Sequence, residues 1–195
     1  SLLVCVFAVM VIGACSGVGV IRGIIASAPT IDDIVATPTG FLSTVLDANG
    51  NQTATLVASG SNRRAVTIDE IPKNLQHAFV AIEDERFYEH NGIDVTGIIR
   101  AGVKGVASGF HFSEGASTIT QQLLKNTVFT SWTSESSMAD KFERKFQEQY
   151  LALQLEKVVD KDWILENYLN AINLGQNTLG VGVASERYFG KDVSD

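Results

Sequence analysis

The chain has 195 residues, of which 45% are hydrophobic, and a formal net charge of -7 at pH 7. This length suits one ordinary domain with a core, with or without a membrane segment, and argues against two large domains or a repeat array. Because 22 acidic residues outnumber 15 basic ones, the broad positive field of a nucleic-acid-binding protein is missing. We therefore expect no nucleic-acid partner, and any phosphate group must be held by a few local cations.

The N-terminal segment is predicted to span a membrane. The run from Leu2 to Ile21 has no charged side chain, and a helix of this length rises about 30 Å, the thickness of the hydrocarbon core of a bilayer. A cleaved signal peptide, with an apolar region of about 7–15 residues, and a lipoprotein signal at Cys15 are the alternatives. We predict an anchor over residues 1–26. Both cysteines, Cys5 and Cys15, lie inside it, so the polar part of the chain cannot form a disulfide.

The next segments are expected to connect the anchor to the main domain. Prolines among Thr and Asp residues indicate an extended spacer over residues 27–40. Two short β-prone runs within residues 41–60 flank Asn49 and Gly50, a pair typical of a tight hairpin turn. We therefore predict a β-hairpin there, followed by a domain over residues 61–195.

The spacing of apolar residues beyond the hairpin predicts a mainly α-helical domain. Asp94, Ser117 and Asp160 are suited to cap the helices that follow them. Residues 130–137 are almost all Thr, Ser and Glu around Trp132, which predicts an exposed loop and a candidate flap. The apolar positions of the five expected helices are Leu75, Ala78, Phe79 and Ile82; Ile98, Ile99, Val103 and Val106; Ile119, Leu123 and Leu124; Phe142, Phe146, Tyr150 and Leu153; and Trp163, Ile164, Tyr168 and Leu169.

An acidic segment at the end of the first of these helices is a candidate for chemistry. Phe79 and Ile82 precede Glu83, so we expect this carboxylate to leave a buried face and to be partly desolvated, which favours its protonated form. A carboxylate tuned in this way suits a general base. The alternative is a solvated acidic helix end, which composition alone favours.

Two further segments carry groups that suit anionic or sugar oxygens. Residues 115–126 place small and hydroxyl-bearing residues at a helix start, with Gln121 and Lys125 one turn apart on one face. A capped helix with a polar outer face is the alternative. Arg144 and Glu148 lie at i and i+4 of the next helix. They form either a surface ion pair of about 0.3–0.5 kcal/mol or a phosphate clamp with a second carboxylate.

In their order and spelling these segments resemble the motifs of the peptidoglycan glycosyltransferases of family 51. This family comprises the polymerase domain of class A penicillin-binding proteins and the monofunctional transglycosylases. The resemblance extends from about Asp69 to Lys191 and rests above all on Glu-Asp-x-x-Phe-x-x-His-x-Gly from Glu83 and Gly-Ala-Ser-Thr-Ile-Thr-Gln-Gln-Leu-x-Lys-Asn from Gly115. It implies a mainly helical, lysozyme-like fold with two lobes, the smaller one against the membrane.

The resemblance also implies a reaction and a location. Lipid II, a disaccharide-pentapeptide on undecaprenyl pyrophosphate, adds to a growing glycan strand, and the pyrophosphate lipid leaves with inversion to give a β-1,4 linkage. The implied location is the bacterial cell membrane, with one span and the catalytic domain on the extracytoplasmic side. Since the sequence begins with Ser1 and stops shortly after Gly190 without a finished helix, we expect a piece of a longer chain. Its continuation would decide whether a transpeptidase domain follows.

Roles for individual residues follow from the resemblance. Glu83 is the implied general base, and Glu148 is the second essential carboxylate, which holds Mg²⁺ or Mn²⁺ or orients Arg144 near the leaving pyrophosphate. Lys125, Arg144 and Lys145 are expected to neutralise the departing diphosphate. No organic cofactor is implied. The implied substrate-binding residues are Asp84, Phe87, His90, Ser117, Thr118, Gln121, Gln122, Lys125, Asn126, Arg144 and Lys145.

Several alternatives stay open. A lysozyme-like or lytic hydrolase would use a related fold and a catalytic glutamate, but Lys125 and Arg144 favour transfer from a pyrophosphate. An inactive membrane-tethered scaffold would bind neither lipid II nor moenomycin, an inhibitor of the family that mimics the donor. His90 suits the site or a structural hydrogen bond equally. One departure from the family pattern is Asp140, with Lys141 beside it, where members often carry another basic residue.

Overall fold

The protein is described by a computed structural model over residues 17–30, 36–58, 60–109 and 115–195. This part of the chain is mainly helical with one two-stranded hairpin, as the apolar spacing and the turn signal predicted. Helix α1 covers residues 17–26. The other elements are β1 (Ser43–Leu46), β2 (Gln52–Leu56), α2 (Lys73–Glu83), α3 (Val95–Ala107), α4 (Ile119–Thr127), a 3₁₀ helix (Thr130–Ser134), α5 (Met138–Leu155), α6 (Lys161–Ala171) and α7 (Val181–Phe189).

The predicted anchor falls largely outside the described residues, as do both cysteines. Among the helices within the described ranges, none combines the length and the apolar character that a membrane crossing requires. The end of α1 lies against α5, where Gln147 Nε2 donates to the carbonyl of Ile24 (3.3 Å) and to Ser27 Oγ (3.0 Å). The chain that emerges from α1 is thus tied to the helix that carries Arg144 and Glu148.

The hairpin forms at the predicted turn, whereas the end of the predicted spacer is part of the core. Strands β1 and β2 pair antiparallel, and Gly50 in the turn has φ +85°, a left-handed conformation that glycine adopts without a steric penalty. Ala36, expected in an extended spacer, is 2% exposed and belongs to the hydrophobic core. Residues 31–35 of the spacer lie outside the described ranges.

Helix α4 belongs to the core, where it packs against α5 and α6. Its predicted apolar face is confirmed, because Ile119, Leu123 and Leu124 are fully buried. The predicted face of α6 is confirmed as well, with Ile164 and Tyr168 fully buried. Because α5 and α6 pack against α4, the polar residues of α4 that are not in the core are held in a fixed position.

The structure buries a different face of α2 from the one predicted. Gln76 and Val80 are its buried residues, whereas Ile82 is 81% exposed. Gln76 lies on the buried face with its polar group hydrogen-bonded, because its Nε2 donates to the carbonyls of Ile68 (2.9 Å) and Ile71 (2.8 Å). A glutamine with both amide hydrogens bonded can be buried at low cost, and it turns Ile82 outward.

The predicted helix caps hold for α3 and α6 but not for α4. Asp94 and Asp160 accept backbone hydrogen bonds at the starts of α3 and α6. At α4 the cap is Thr118 rather than Ser117, and Gln121 completes a capping box with Thr118. The box requires a Glu or Gln three residues after the cap. Thr118 has one there, whereas Ser117 has a threonine.

Helix α7 was not predicted, and it corrects the expectation that the sequence shows no finished helix near Gly190. Val181, Val183 and Ala184 are buried. Gly190 closes the helix with φ +66°, the left-handed conformation that commonly ends helices. The glycine after an apolar run was the available signal.

Candidate active site

Glu83 is the last residue of α2 and lies beside α4. Gln122 Nε2 donates to its Oε2 (2.9 Å), and Gln122 Oε1 accepts from the hydroxyl of Tyr168 (3.4 Å). Burial and the nearby charge of Glu83 raise the pKa of Tyr168, so this hydroxyl stays a donor. Glu83 itself is exposed, and the expected desolvation is therefore wrong, because Ile82 before it faces solvent rather than the core.

Lys125, near the end of α4, links the two candidate carboxylates electrostatically. Burial lowers the pKa of its ammonium, and the like charge of Lys145 lowers it further. The charges of Glu148, Arg144 and Glu83 also act on it, with the two glutamates raising the pKa. Lys125 also follows Gln122, the residue bonded to Glu83, by three positions on α4, and residues at this spacing are neighbours on the helix surface.

Glu148 is a fully buried carboxylate between two cations. It is 0% exposed and accepts hydrogen bonds from Arg144 Nη1 and from Lys145 Nζ, the latter at 2.8 Å. Lys145 Nζ also donates to Ser117 Oγ (2.9 Å). The i,i+4 ion pair therefore forms, but inside the protein rather than at the surface. The hydrogen bond between Lys145 and Ser117 ties α5 to the residues just before α4.

Arg144 is bound by a second carboxylate that sequence reasoning missed. Its Nε lies 2.8 and 2.9 Å from the two oxygens of Glu135. Glu135 follows the 3₁₀ helix, in which the ring of Trp132 lies 4.4 Å from Lys125 Nζ. Residues 130–135, which we call the covering segment, thus contact two of the cations expected to bind diphosphate. The sequence offered composition alone for this segment, which indicated a loop but not its contacts.

Three predicted binding residues near Glu83 lie inside the protein. Asp84 is 6% exposed and Phe87 is 0% exposed. Asp84 Oδ2 accepts from the backbone N of Ile119 (3.0 Å), and His90 Nε2 lies 2.9 Å from the same oxygen. These contacts dock the turn after Glu83 onto the start of α4, which is the structural role considered for His90.

The predicted binding residues in α4 and just before it also differ in burial. Thr118 and Gln121 are 1% and 2% exposed and serve the helix cap, and Thr118 Oγ1 donates to the carbonyl of Gly92 (2.7 Å). Ser117 and Asn126 are half-buried. Gln122 is bonded to Glu83, and charge interactions connect Lys125 with Glu83, Arg144, Lys145 and Glu148. Arg144 and Lys145 are bonded to Glu148, and Lys145 is bonded to Ser117.

An open cleft begins at Glu83 and extends between the end of α2, α3 and residues 115–118. Arg86 and Arg100 line it, and neither belongs to the predicted site residues. Glu85 lies between them, with its Oε1 2.8 Å from Arg100 Nη1. The carboxylate-bearing residue Glu83 lines this cleft together with the two arginines.

Glu148 does not fit the metal-binding role expected as one of its alternatives. One of its oxygens accepts a hydrogen bond from Arg144 and the other from Lys145, so Mg²⁺ or Mn²⁺ would have to displace a cationic side chain to bind there. Within the described ranges, no three His, Cys, Asp or Glu side chains are grouped so as to hold a metal ion. Contact with Arg144 and Lys145 is what the position of Glu148 supports.

A family model described as Transglycosylase matches residues 49–195. The chain belongs to this family. The transglycosylase relatives include penicillin-binding protein 1A of Clostridium perfringens, 46% identical over 90% of this chain and 25% of that protein. Penicillin-binding protein 1A of Clostridium acetobutylicum is 41% identical over 100% of this chain and 24% of that protein. Penicillin-binding protein 1F of Bacillus subtilis is 44% identical over 78% of this chain and 20% of that protein.

The family expected from the motifs is thus confirmed by the family model and by the relatives. The chain spans about a quarter or less of the length of these relatives. The transglycosylase match includes both candidate carboxylates, Glu83 and Glu148, and the cations between them.

Proposed function

We propose that the chain is the transglycosylase domain of a membrane-anchored peptidoglycan glycosyltransferase that polymerises lipid II into β-1,4-linked strands and releases undecaprenyl pyrophosphate. The proposal depends on one observation: the exposed carboxylate of Glu83 and the half-buried ammonium of Lys125 share one region beside α4. A base for a sugar hydroxyl and a cation for a departing diphosphate are what this transfer needs. Membership of the transglycosylase family supports the same class of reaction.

Glu83 acts as the general base in the proposed reaction. It takes the proton of the 4-hydroxyl of the incoming lipid II while that oxygen bonds to the anomeric carbon of the growing strand. The bond from this carbon to the pyrophosphate oxygen breaks, the electron pair leaves with the diphosphate, and the carbon inverts. Gln122 orients the carboxylate through its 2.9 Å hydrogen bond, and the exposure of Glu83 allows a hydroxyl to approach.

The cations around Lys125 stabilise the charge that develops on the departing diphosphate. Lys125 is partly buried, so less water screens its charge than at an exposed site. Arg144 and Lys145 are held by the buried carboxylate of Glu148. We therefore assign Glu148 to positioning these two cations. This arrangement also favours transfer over hydrolysis, because hydrolysis has no diphosphate to neutralise.

Exposed apolar surface supports a location beside a bilayer. Ile99, Val103 and Val106 of α3 are 61%, 65% and 60% exposed, and Ile82 at the end of α2 is 81% exposed. Contiguous apolar side chains that face water mark contact surfaces. We propose that α3 belongs to the smaller lobe of a lysozyme-like fold and lies on the extracytoplasmic face of the membrane, with α1 leading into the anchor.

The proposed partners follow from the reaction and from the relatives. Lipid II and the growing glycan strand are the substrates, and moenomycin is the expected inhibitor. The relatives are named penicillin-binding proteins and are at least four times as long as the stretch they share with this chain. We therefore propose that the parent protein carries a transpeptidase domain after this transglycosylase domain.

The substitution Glu83→Gln tests the proposed function. It keeps the size of the side chain and removes the proton acceptor, so the rate of glycan polymerisation from lipid II should fall by about 10²–10⁴-fold. Glu89→Gln is the matched control, because Glu89 is an exposed acid on the same turn and should polymerise at the rate of the unaltered protein. Gel electrophoresis of labelled glycan strands measures the rate, and thermal unfolding checks the fold.

The same assay separates the alternatives. Lengthening of glycan strands supports the transferase, whereas shortening of preformed strands would identify a hydrolase. A protein that neither polymerises lipid II nor binds moenomycin would be a scaffold. Near-normal polymerisation by Glu83→Gln would remove Glu83 from the mechanism.

A further inference from the structure

Lys161 has an unusual place for a cation. It is the first residue of α6, directly after the cap Asp160, where the aligned peptide dipoles of the helix disfavour positive charge. Its side chain is nevertheless 22% exposed rather than fully solvated. The sequence alone indicates an ordinary packing helix here. A partly buried lysine at the positive end of a helix needs compensating partners in other parts of the chain.

The ammonium of Lys161 has three such partners. Its Nζ lies 2.6 Å from Glu156 Oε2, just beyond α5. It donates to the carbonyl oxygen of His90 (2.8 Å) and lies 4.4 Å from the centroid of the Phe87 ring. Glu156 is 4% exposed and Phe87 is 0% exposed, so water screens these charge interactions less than at the surface.

These contacts lead to the carboxylate proposed as the base. His90 ends the turn over residues 84–90 that follows Glu83 directly. Asp84, at the start of this turn, is bonded to the first backbone N–H of α4 and to the ring of His90. The turn is therefore attached to α4 at one end and to Lys161 at the other. Displacement of either attachment changes where the carboxylate of Glu83 lies relative to α4.

We propose that Lys161 is a positioning residue, which fixes Glu83 for proton transfer through the turn over residues 84–90. This inference rests on the proposed function, because it concerns the base of that reaction. Lys161 contacts neither Glu83 nor the cations around Lys125 in the hydrogen bonds of the described residues. Its effect is therefore on the geometry of proton transfer, and small displacements of a reacting group are costly in rate.

Variants of the full chain test this role. Lys161→Met removes the ammonium and leaves the buried carboxylate of Glu156 with its hydrogen bond from Thr120 but without a cation, which risks unfolding. The double variant Glu156→Gln/Lys161→Met removes both charges and still lacks the contacts to His90 and Phe87. Lys161→Arg is the conservative variant, because a guanidinium can pair with a carboxylate and stack on a ring. Lys157→Met is the control, since Lys157 is an exposed lysine bonded to Gln154.

The kinetic result separates positioning from binding. We expect kcat for lipid II polymerisation to fall by about tenfold or more in the double variant, with KM within about twofold of the unaltered protein. Lys161→Arg should recover most of kcat, and Lys157→Met should match the unaltered protein. A decrease in kcat no larger than that of Lys157→Met would overturn the proposal, as would a decrease confined to KM.

Hydrogen exchange supplies a readout that does not need turnover. The backbone amides of residues 84–90 should exchange faster in the double variant than in the unaltered protein, while those of α7 keep their rates. Unchanged exchange in residues 84–90 would overturn the proposal even if kcat falls. If the unaltered protein fails to polymerise lipid II, the proposed function fails, and the exchange rates still decide whether Lys161 holds this turn.

Discussion

Glu148 is the carboxylate that we propose holds Arg144 and Lys145 in position. It is fully buried between Arg144 and Lys145, and a buried charge is tolerated when it is paired and hydrogen-bonded. Both of its carboxylate oxygens accept hydrogen bonds from the cations that we propose bind the diphosphate. The residue therefore matters for stability as well as for the arrangement of charge.

Glu148→Gln should destabilise the protein strongly. The amide leaves Arg144 and Lys145 without their shared anion, and breaking a buried ion pair costs about 3–5 kcal/mol. For a chain of this size that corresponds to a decrease in Tm of roughly 10 °C, measurable by thermal unfolding monitored by circular dichroism. Glu186→Gln, at an exposed acid of α7, should unfold like the unaltered protein. Equal Tm values for the two variants would contradict the buried pairing.

Lys125 predicts a pH dependence. Burial and the charge of Lys145 lower its pKa from the ordinary value of 10.5, so Lys125 loses its proton at a lower pH than an ordinary lysine. The neutral amine no longer attracts a diphosphate, and kcat/KM for lipid II should therefore decrease as pH rises through this lowered pKa. The alkaline limb of the pH profile should lie below 10.5, and Lys125→Arg should move it upward, because a guanidinium stays protonated.

A replacement elsewhere controls for general effects of arginine. Lys191→Arg, at an exposed lysine beyond α7, should leave the alkaline limb in place. If Lys125→Arg also leaves it in place, the limb belongs to another group and the assignment of Lys125 to the diphosphate loses its support.

At the scale of elements, the covering segment over residues 130–135 sets a condition on diphosphate binding. Glu135 neutralises Arg144, and Trp132 lies over Lys125. A diphosphate that binds Arg144 would compete with the carboxylate of Glu135 for this side chain. The 3₁₀ helix of this segment also contacts α4 directly.

Glu135→Gln should therefore tighten the binding of inorganic pyrophosphate. The amide competes more weakly than a carboxylate for Arg144, and the difference between a charged and a neutral hydrogen-bond partner corresponds to a decrease in Kd of about tenfold. Isothermal titration calorimetry measures the Kd. Asp140→Asn removes a nearby exposed acid and should change the Kd much less. Weaker binding by Glu135→Gln would mean that Glu135 supports Arg144 in its binding position.

The elements were predictable where local rules decide them. The apolar faces of α4 and α6 and the caps at Asp94 and Asp160 follow from spacing and cap chemistry, and the structure agrees. The predicted burial of Ile82 is wrong, because the structure buries the polar residue Gln76 instead, and that burial depends on carbonyl acceptors from a preceding segment. No spacing rule within one helix contains that information.

The candidate site was predictable in its residue types but not in its contacts. The motif strings identified Glu83, Lys125 and Arg144, whose roles stay predictions. The pairing of Arg144 with Glu135 spans nine residues and an irregular segment, and the pairing of Lys161 with His90 spans 71. Contacts of this kind depend on how the helices pack, which a helical or strand period does not describe.

At the scale of the whole molecule, net charge and apolar surface have opposite consequences for membrane contact. The charge of -7 repels the protein from anionic lipid surfaces, so electrostatic attraction does not explain a location at the bilayer. The exposed apolar side chains of α3 would provide the proposed membrane contact without depending on charge. Contact through α3 should therefore persist at high salt concentration.

Sedimentation with lipid vesicles tests this contact in a chain that begins at residue 27 and so lacks the predicted anchor. We expect the bound fraction to be similar at 0.1 M and 0.5 M NaCl, because burial of apolar surface is not screened by salt. Ile99→Asp/Val103→Asp should reduce it several-fold, since each charge placed in the interface is costly. The control Val45→Asp/Leu56→Asp alters exposed apolar residues of the hairpin and should bind normally. Equal losses from both double variants would show that α3 is not the membrane contact, because the effect would then follow from added negative charge alone.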